Sequence, residues 1–514
     1  MNYNLTDTQK DFAVFLPAIS GFYATFIGKQ RFEDYVDPVR IPTSFTNGVE
    51  SLNYLNKSKG KFYYKWSLYS AGHADLDFSK QVDKEDMIRN RDKNNTWLLG
   101  DSGGFQIGKG VWEGDWKDPS CPKASKKRQD VLAWMDKYMD YGMILDVPAW
   151  VARSEKGQKA TGVTNYQEAV NATRTNNDYW LQNRSGACKF LNVLQGEVHA
   201  DAEDWYQQMK DYCDPKKYPS NHFNGWSMGG QNMCDIHLAL KRLIALRFDG
   251  LLEKGIHDVM HFLGTSKLEW AVLLTDIQRA VRKYHNENFM ITFDCASPFL
   301  ATANGQIYIQ TETQDRKKWV YRMVPSIDKL KYATDTRNFK TAVLQDQIFQ
   351  NFEDSPISEN INVNDICVYA EGDTNKIGAP KIKAGHIDKD KKGNPILDVE
   401  GNPIIRSKDS TSWDSFSYAI QMGHNIWSHI SAVQEANNKY DQGIIPSMLV
   451  QELFDRILFR DIINEIFSTD DRDKANKIND DSKRFFDTIL GTRGNTGKKM
   501  TNSTTCYNNL FTEG

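Results

Sequence analysis

No run of this chain is both long and uniformly apolar. The most apolar early stretch, Phe12 to Ile27, is interrupted by Pro17, Ser20 and Gly21. It is shorter than the roughly 20 residues a membrane helix needs, so it is expected to be core, with no membrane partner. Cysteine is scarce and unpaired: seven residues, at 121, 188, 213, 234, 295, 367 and 506, are spread over 514 positions. An odd, scattered set argues against a disulfide framework and fits reduced thiols, so a cytoplasmic location is expected. Net positive charge is also missing, since 64 Lys and Arg face 67 Asp and Glu. A nucleic-acid partner would therefore have to meet a local basic patch. The opening MNYNLTDTQK has no basic segment ahead of an apolar one, so no signal peptide is expected. Gly108, Gly110 and Gly114 lack the following Lys-Ser/Thr of a phosphate loop. Histidines 73, 199, 222, 237, 257 and 261 show neither HxH nor HExxH spacing and are expected to be solvated or core.

What the chain does have is rhythm. Between residues 60 and 300, apolar strand-like runs alternate with amphipathic stretches: KFYYKWSLYS, TWLLGDSGG, GMILDVPAW, KFLNVLQGE, FNGWSMGG, DVMHFLGTS and FMITFDCASP. Helical patterns separate them at Gln129–Tyr141, Tyr166–Asn183, Ala202–Tyr212, Ile236–Leu252 and Leu268–Tyr284. Strand-then-helix repetition predicts a parallel sheet. Seven runs, plus one in the first fifty residues, predict an α/β fold of the (β/α)₈ TIM-barrel type over residues 1–340. Residues 341–514 read as a C-terminal extension: an inserted β-hairpin at about 371–411, marked by a repeated GNPI(L/I), then a helical annex. Trp413–Tyr440 and Met448–Phe467 carry its helical periodicity; beyond Arg472 the chain is polar apart from a short amphipathic piece around Phe485–Leu490, and a frayed terminus is expected.

Almost every run ends in a polar or glycine cluster, and in such a barrel all these ends share one face. Two of them carry chemistry. LLGDSGGFQIG delivers Asp101 beside Ser102 and two glycines, and FMITFDCASP delivers Asp294. Two carboxylates on two strand ends suit acid/base and nucleophilic work on a glycosidic bond. The competing expectation is that each simply caps the helix that follows it. Lys126, Lys127 and Arg128, with Lys123, follow the first strand. Arg316, Lys317, Lys318, Arg322, Lys329 and Lys331, interleaved with Trp319 and Tyr321, follow the second. Basic residues among aromatics suit phosphate and single-strand contacts, or else a solvated helix face.

Six strand-end motifs, in order, resemble those of the tRNA-guanine transglycosylase superfamily, whose members exchange guanine for a 7-deazaguanine in a polynucleotide. DSGGFQ at 101–106 is similar to the acid/base signature, and LDVPAW at 145–150 to the strand end whose Asp reads the guanine face. LQGE at 194–197, SMGG at 227–230 and FLGTS at 262–266 follow, and FDCASPFLATANG at 293–305 resembles the segment that begins with the nucleophile. The resemblance implies Asp294 as nucleophile and Asp101 as general acid/base. It implies Asp146 and Gln195 on the guanine edge, Ser102 and the amides of Gly229 and Gly230 completing the contacts, and Phe105 and Met228 sandwiching the base.

It extends to His424-Asn425, where the family has an HN pair opening a late helix. The family's structural zinc also needs a CxCxxC triplet, which this chain lacks, so no metal or other cofactor is expected. Phe299-Leu300 and Ala303 stand where the family carries Thr-Arg and a second Arg. With the missing zinc motif, this looks like the divergent branch of phages and genomic islands that modifies DNA. DNA is the expected polynucleotide and a 7-deazaguanine the incoming base. The alternatives are a tRNA enzyme, a non-catalytic nucleic-acid-binding subunit of the same fold, and a retaining glycoside hydrolase. Monomer or homodimer is left open.

Overall fold

A computed structural model describes residues 3–32, 38–77, 86–313, 319–327, 332, 334–346, 355–366, 413, 415–451 and 457–490. Eight strands form one parallel sheet. They are β1 (Val14–Pro17), β2 (Trp66–Ser70), β3 (Trp97–Asp101), β4 (Tyr141–Met143), β5 (Lys189–Leu194), β6 (Gly225–Met228), β7 (Val259–Phe262) and β8 (Met290–Cys295). Their spatial order is β1-β8-β7-β6-β5-β4-β3-β2. The two edge strands then meet through a parallel bridge between Ala18 and Leu68, and Ile19 N donates to Leu68 O at 3.0 Å. The sheet thus curls into a TIM-barrel-like form, with its first strand in the segment expected to be core.

These strands are apolar on both faces because helices cover the outside while side chains fill the inside. Side-chain parity follows from hydrogen bonds. Trp226 Nε1 donates to Leu251 O and Asn192 Nδ2 to Met209 O, both beyond the sheet, so Ser227, Leu191 and Val193 face the interior. Ser227 Oγ lies 3.3 Å from Met143 Sδ across that interior. The outer layer contains α1 (Gly21–Phe32), α2 (Pro122–Tyr138), α3 (Tyr166–Asn183), α4 (His199–Met209), α5 (Ile236–Phe248) and α6 (Leu268–Tyr284). Two of these match the expected bounds residue for residue. For α3 the reason is visible: the Asn165 side chain accepts from Glu168 N, and Glu168 accepts in return from Thr164 N. By contrast α2 begins seven residues earlier than Gln129, at a proline that fits the first helical turn. Helix α5 ends before Gly250, whose φ of 71° turns the chain.

The sheet is followed by an antiparallel pair, β9 (Gln306–Glu312) and β10 (Val320–Pro325), and then by α7 (Ser415–Asp441), which packs against α6, β1 and β9. Asn425 on α7 ties down the chain after β8: its Nδ2 donates to Pro298 O, Thr302 Oγ1 and Gln306 O, and its Oδ1 accepts from Tyr308 N. The single helix expected over Met448–Phe467 is instead a short antiparallel pair, Val450–Gln451 with Ile457–Leu458, followed by α8 (Phe459–Ser468). β-Branched Val450 and Ile457 favour that pairing. The polar stretch from Arg472 forms α9 (Arg472–Asp481), and the amphipathic piece expected around Phe485–Leu490 lies in α10 (Lys483–Leu490). The hairpin at about 371–411 lies outside the described residues. No described helix is long and apolar enough to cross a membrane.

Candidate active site

The strand ends that carry the six motifs adjoin one another around the rim. Asp101 ends β3 in register with Ser70 at the end of β2, and Ser70 Oγ donates to Asp101 Oδ2 at 2.6 Å. Two residues past Ser102, Gly104 lies so close to Asp146 that a Cβ there would fall 2.7 Å from Asp146 Oδ1. Asp146, after β4, accepts from Gln195 Nε2 at 2.7 Å through Oδ2. Gln195, after β5, is in turn so near Gly229 that a Cβ on that glycine would fall 3.0 Å from its Nε2. Glycine at 104 and 229 is what allows these loops to close on each other. Asn232 Nδ2 locks the last pair, donating to Gln195 O and Gly229 O.

Asp294 closes the ring at β8. Its Oδ1 accepts from His261 Nε2 at 3.1 Å and from the Gly264 amide at 2.9 Å, both supplied by β7 and its following loop. Thr292 Oγ1 holds the other ring nitrogen of His261 at 2.9 Å, which fixes the imidazole. Among the described residues no hydrogen bond engages Asp294 Oδ2, and the carboxylate keeps 13% side-chain exposure. One oxygen is thus oriented by two donors, and the other accepts no hydrogen bond among the described residues.

Burial pushes the Asp101 carboxyl up, Ser70 and the Gly103 amide pull it down, and the negative charge of Asp294 raises it again. Burial likewise lifts Asp146 to about 7 against the hydrogen bond from Gln195, with the charge of Asp101 adding to the rise. Three acidic groups from three strand ends therefore act on one another. Neither Asp101 nor Asp294 caps a helix. The turn at Gly104–Gly108 is preceded by Gly103 with φ 85°, and Ser297–Ala303 by Ala296, and neither turn receives a side-chain cap.

Several expected contacts come out differently. Met228 shares the outward parity of Trp226 and is fully buried, so it cannot flank a base inside the rim; Ser227 is the inward residue. The Gly229 amide is consumed by the sheet ladder, donating to Leu194 O at 2.9 Å, whereas Gly230 turns the chain with φ 55°. Phe105 sits half-buried, its ring centroid 6.2 Å from that of Trp150, and Ser102 is buried beside Asp101. Arg128 is not on the surface. It lies under α3, where its Nε donates to Asn176 Oδ1, because helical rotation turns the third residue of the Lys-Lys-Arg run inward. Lys126 is exposed but paired with Asp130 at 2.9 Å. Lys127 lies over Trp112, 4.8 Å from the ring, and both lysines line a cleft of about 530 Å³ beside Ala71 and Gly72 at the end of β2. Arg316, Lys317, Lys318, Lys329 and Lys331 lie outside the described residues, and the aromatics near them, Trp319 and Tyr321, turn inward; Tyr321 stacks on His429 at 4.5 Å.

His424 stands two to three turns inside α7 rather than opening it. Its ring nitrogens meet Ser355 Oγ and Tyr308 O, each at 2.7 Å, and burial holds its pKa at about 4. A neutral imidazole spent on two hydrogen bonds does not fit a zinc ligand, and none of the described cysteines forms a cluster with it.

Three residues of the site carry no signal in a linear reading: Ser70, His261 and Asn232. Glu197, buried two residues after Gln195, pairs with Arg153, and burial lifts it to about 7. Only the LQGE spelling hinted at Glu197. Compared with known proteins, the sequence matches no family model and no curated protein.

Proposed function

We propose that the chain is a polynucleotide guanine transglycosylase on a (β/α)₈ barrel, exchanging guanine for a 7-deazaguanine, with DNA as its substrate. The observation that carries the reading is the asymmetry of its two strand-end carboxylates. Asp294 has one oxygen pinned by His261 and Gly264 and one without a hydrogen bond among the described residues, while Asp101 is raised by burial and by the charge of Asp294. That is the division a retaining displacement requires, a ready nucleophile beside a proton carrier.

In the first step Asp294 Oδ2 attacks the anomeric carbon as the bond to the guanine nitrogen breaks, giving a sugar ester, and Asp101 passes its proton to the departing base. In the second the incoming base attacks the same carbon, surrenders a proton to Asp101 and releases the Asp294 carboxylate. Configuration is retained and no proton is gained or lost overall. The Asp146–Gln195 pair supports the choice of base. An ionised Asp146 accepts from the N1 and N2 hydrogens of guanine, and the Gln195 amide donates to O6. With Asp146 lifted to about 7, binding of guanine draws the group into its charged form.

A tRNA substrate is the second reading. Base exchange with labelled guanine, run in parallel on duplex DNA, single-stranded DNA and tRNA, tests both. Incorporation into DNA is expected. Incorporation only into tRNA would reverse the choice of polynucleotide, and none with any of them would remove the reaction.

A further inference from the structure

Beyond the rim, on the same side of the barrel, two histidines and an aspartate from different elements converge. His199 opens α4 after β5. Asp235 caps α5 after β6, its Oδ1 accepting from Leu238 N, and His237 is the second residue of α5. One ligand atom from each lies within 4.8 Å of the other two. His199 Nε2 and Asp235 Oδ2 are hydrogen-bonded at 2.8 Å, a contact that would open by roughly 0.5–0.8 Å around a tetrahedral ion with bonds of about 2.0–2.2 Å.

The second observation is an unmet need. The His237 side chain is only 8% exposed; its Nε2 bonds Asp480 Oδ1 at 2.7 Å, and its Nδ1 is buried without a hydrogen-bond partner. A buried ring nitrogen left unpaired is costly, and one offset for that cost is a cation. A carboxylate on the far nitrogen of a metal-bound imidazole is the usual way such a ring is oriented. His199, 45% exposed, gives an ion a way in.

We propose that His199, Asp235 and His237 bind a divalent transition-metal ion of the zinc type, with Asp480 on α9 orienting His237. Two imidazoles and one carboxylate are a borderline donor set that suits zinc better than the hard cations magnesium or calcium. The ion would join α4 to α5 and, through Asp480, to α9. It would brace the loops of Gln195 and Gly229, because Gln231, whose amide donates to Gly196 O, reaches Asp235 with its side chain. The site stands apart from the reaction proposed above and holds whether or not a base is exchanged.

The test uses the full-length protein, stripped with a chelator and then titrated separately with Zn²⁺ and Co²⁺, with bound metal counted after gel filtration and the visible Co²⁺ bands recorded. One equivalent per chain is expected. The exposed-site variant His199→Ala and the variant His237→Ala should lose it while keeping the wild-type far-ultraviolet circular dichroism. Asp480→Asn should bind about 10–100-fold more weakly. If His237→Ala does not fold, His199→Ala and Asp480→Asn, both at positions open to solvent, carry the test. Retention of less than a tenth of an equivalent by the wild type would overturn the proposal. So would full stoichiometry in a His199→Ala, Asp235→Asn double variant.

Discussion

The two sides of the rim use the same residue type in opposite ways. On the β2–β3 and β7–β8 side, Asp101 accepts from Ser70 on one oxygen and from the Gly103 amide on the other, whereas Asp294 accepts from His261 and Gly264 on a single oxygen. On the β4–β6 side Asp146 is more deeply buried and hydrogen-bonded to the Gln195 amide. The difference teaches that a strand-end aspartate takes its role from its donors and its exposure rather than from its place in the barrel. Under the proposed function, two donors on one oxygen suit Asp294 to the nucleophile's part, whereas a buried carboxyl facing an amide suits Asp146 to reading a hydrogen-bond pattern.

The largest effect should come from breaking the reactive side. Asp294→Asn is expected to lower base exchange by on the order of 10⁴-fold or more, measured as labelled guanine incorporated. Asp101→Asn should cost about 10²–10⁴-fold, as expected for loss of an acid/base group. His261→Gln, which frees Asp294 to rotate, should lower kcat by roughly 10–100-fold with little change in KM for the base. A larger change in KM than in kcat would assign His261 to binding.

Asp146→Asn sharpens the comparison from the other side. Loss of a charged acceptor should raise KM for guanine by about 10–100-fold, equivalent to about 1.5–3 kcal/mol, with a smaller effect on kcat. The same position has a stability signature. Asp146, Glu197 and Asp276 each stand near 7 in the folded protein, far above their ordinary values, through burial in every case. A raised carboxyl contributes its full stability below the unfolded pKa, and that contribution is lost as pH rises through the folded value. The melting temperature should therefore fall by a few degrees as pH rises from about 5 to about 7 and level off above it. Asp146→Asn should flatten part of that fall, and a fall unchanged in the variant would contradict the assignment. Guanine binding, which needs the ionised form, should tighten over the same interval.

Smallest of all should be the surface effects. Lys126→Ala removes an exposed cation already paired with Asp130 and should weaken polynucleotide binding less than tenfold, read from its salt dependence. Arg128→Ala should instead lower the melting temperature, since it empties a buried site next to Asn176.

Much of this was legible along the chain because the relevant physics is local. Apolar runs ending in glycine and aspartate marked the strand ends, and the Asn165–Glu168 pair and the amphipathic face of Leu268–Tyr284 set helix bounds. Roles that depend on parity or distant partners were not legible. The sequence places Met228 beside two glycines, but only the pleat shows that it faces the helices. Arg128 continues a basic run, yet the α2 rotation buries it. His261 sits in an apolar strand with nothing nearby to mark it, because its partners Thr292 and Asp294 are more than thirty residues away. The strand at Val450 shows the same limit: pairing with Leu458 outweighs a helical spacing of apolar residues.

The most direct measurement is the site of covalent attachment. The protein incubated with an oligonucleotide and denatured should show an intact mass increased by the nucleic acid, and peptide mapping should locate the link on Asp294, with no adduct formed by Asp294→Asn. A link mapped to Asp101, Asp146 or any other residue, or an adduct that survives Asp294→Asn, would contradict the account.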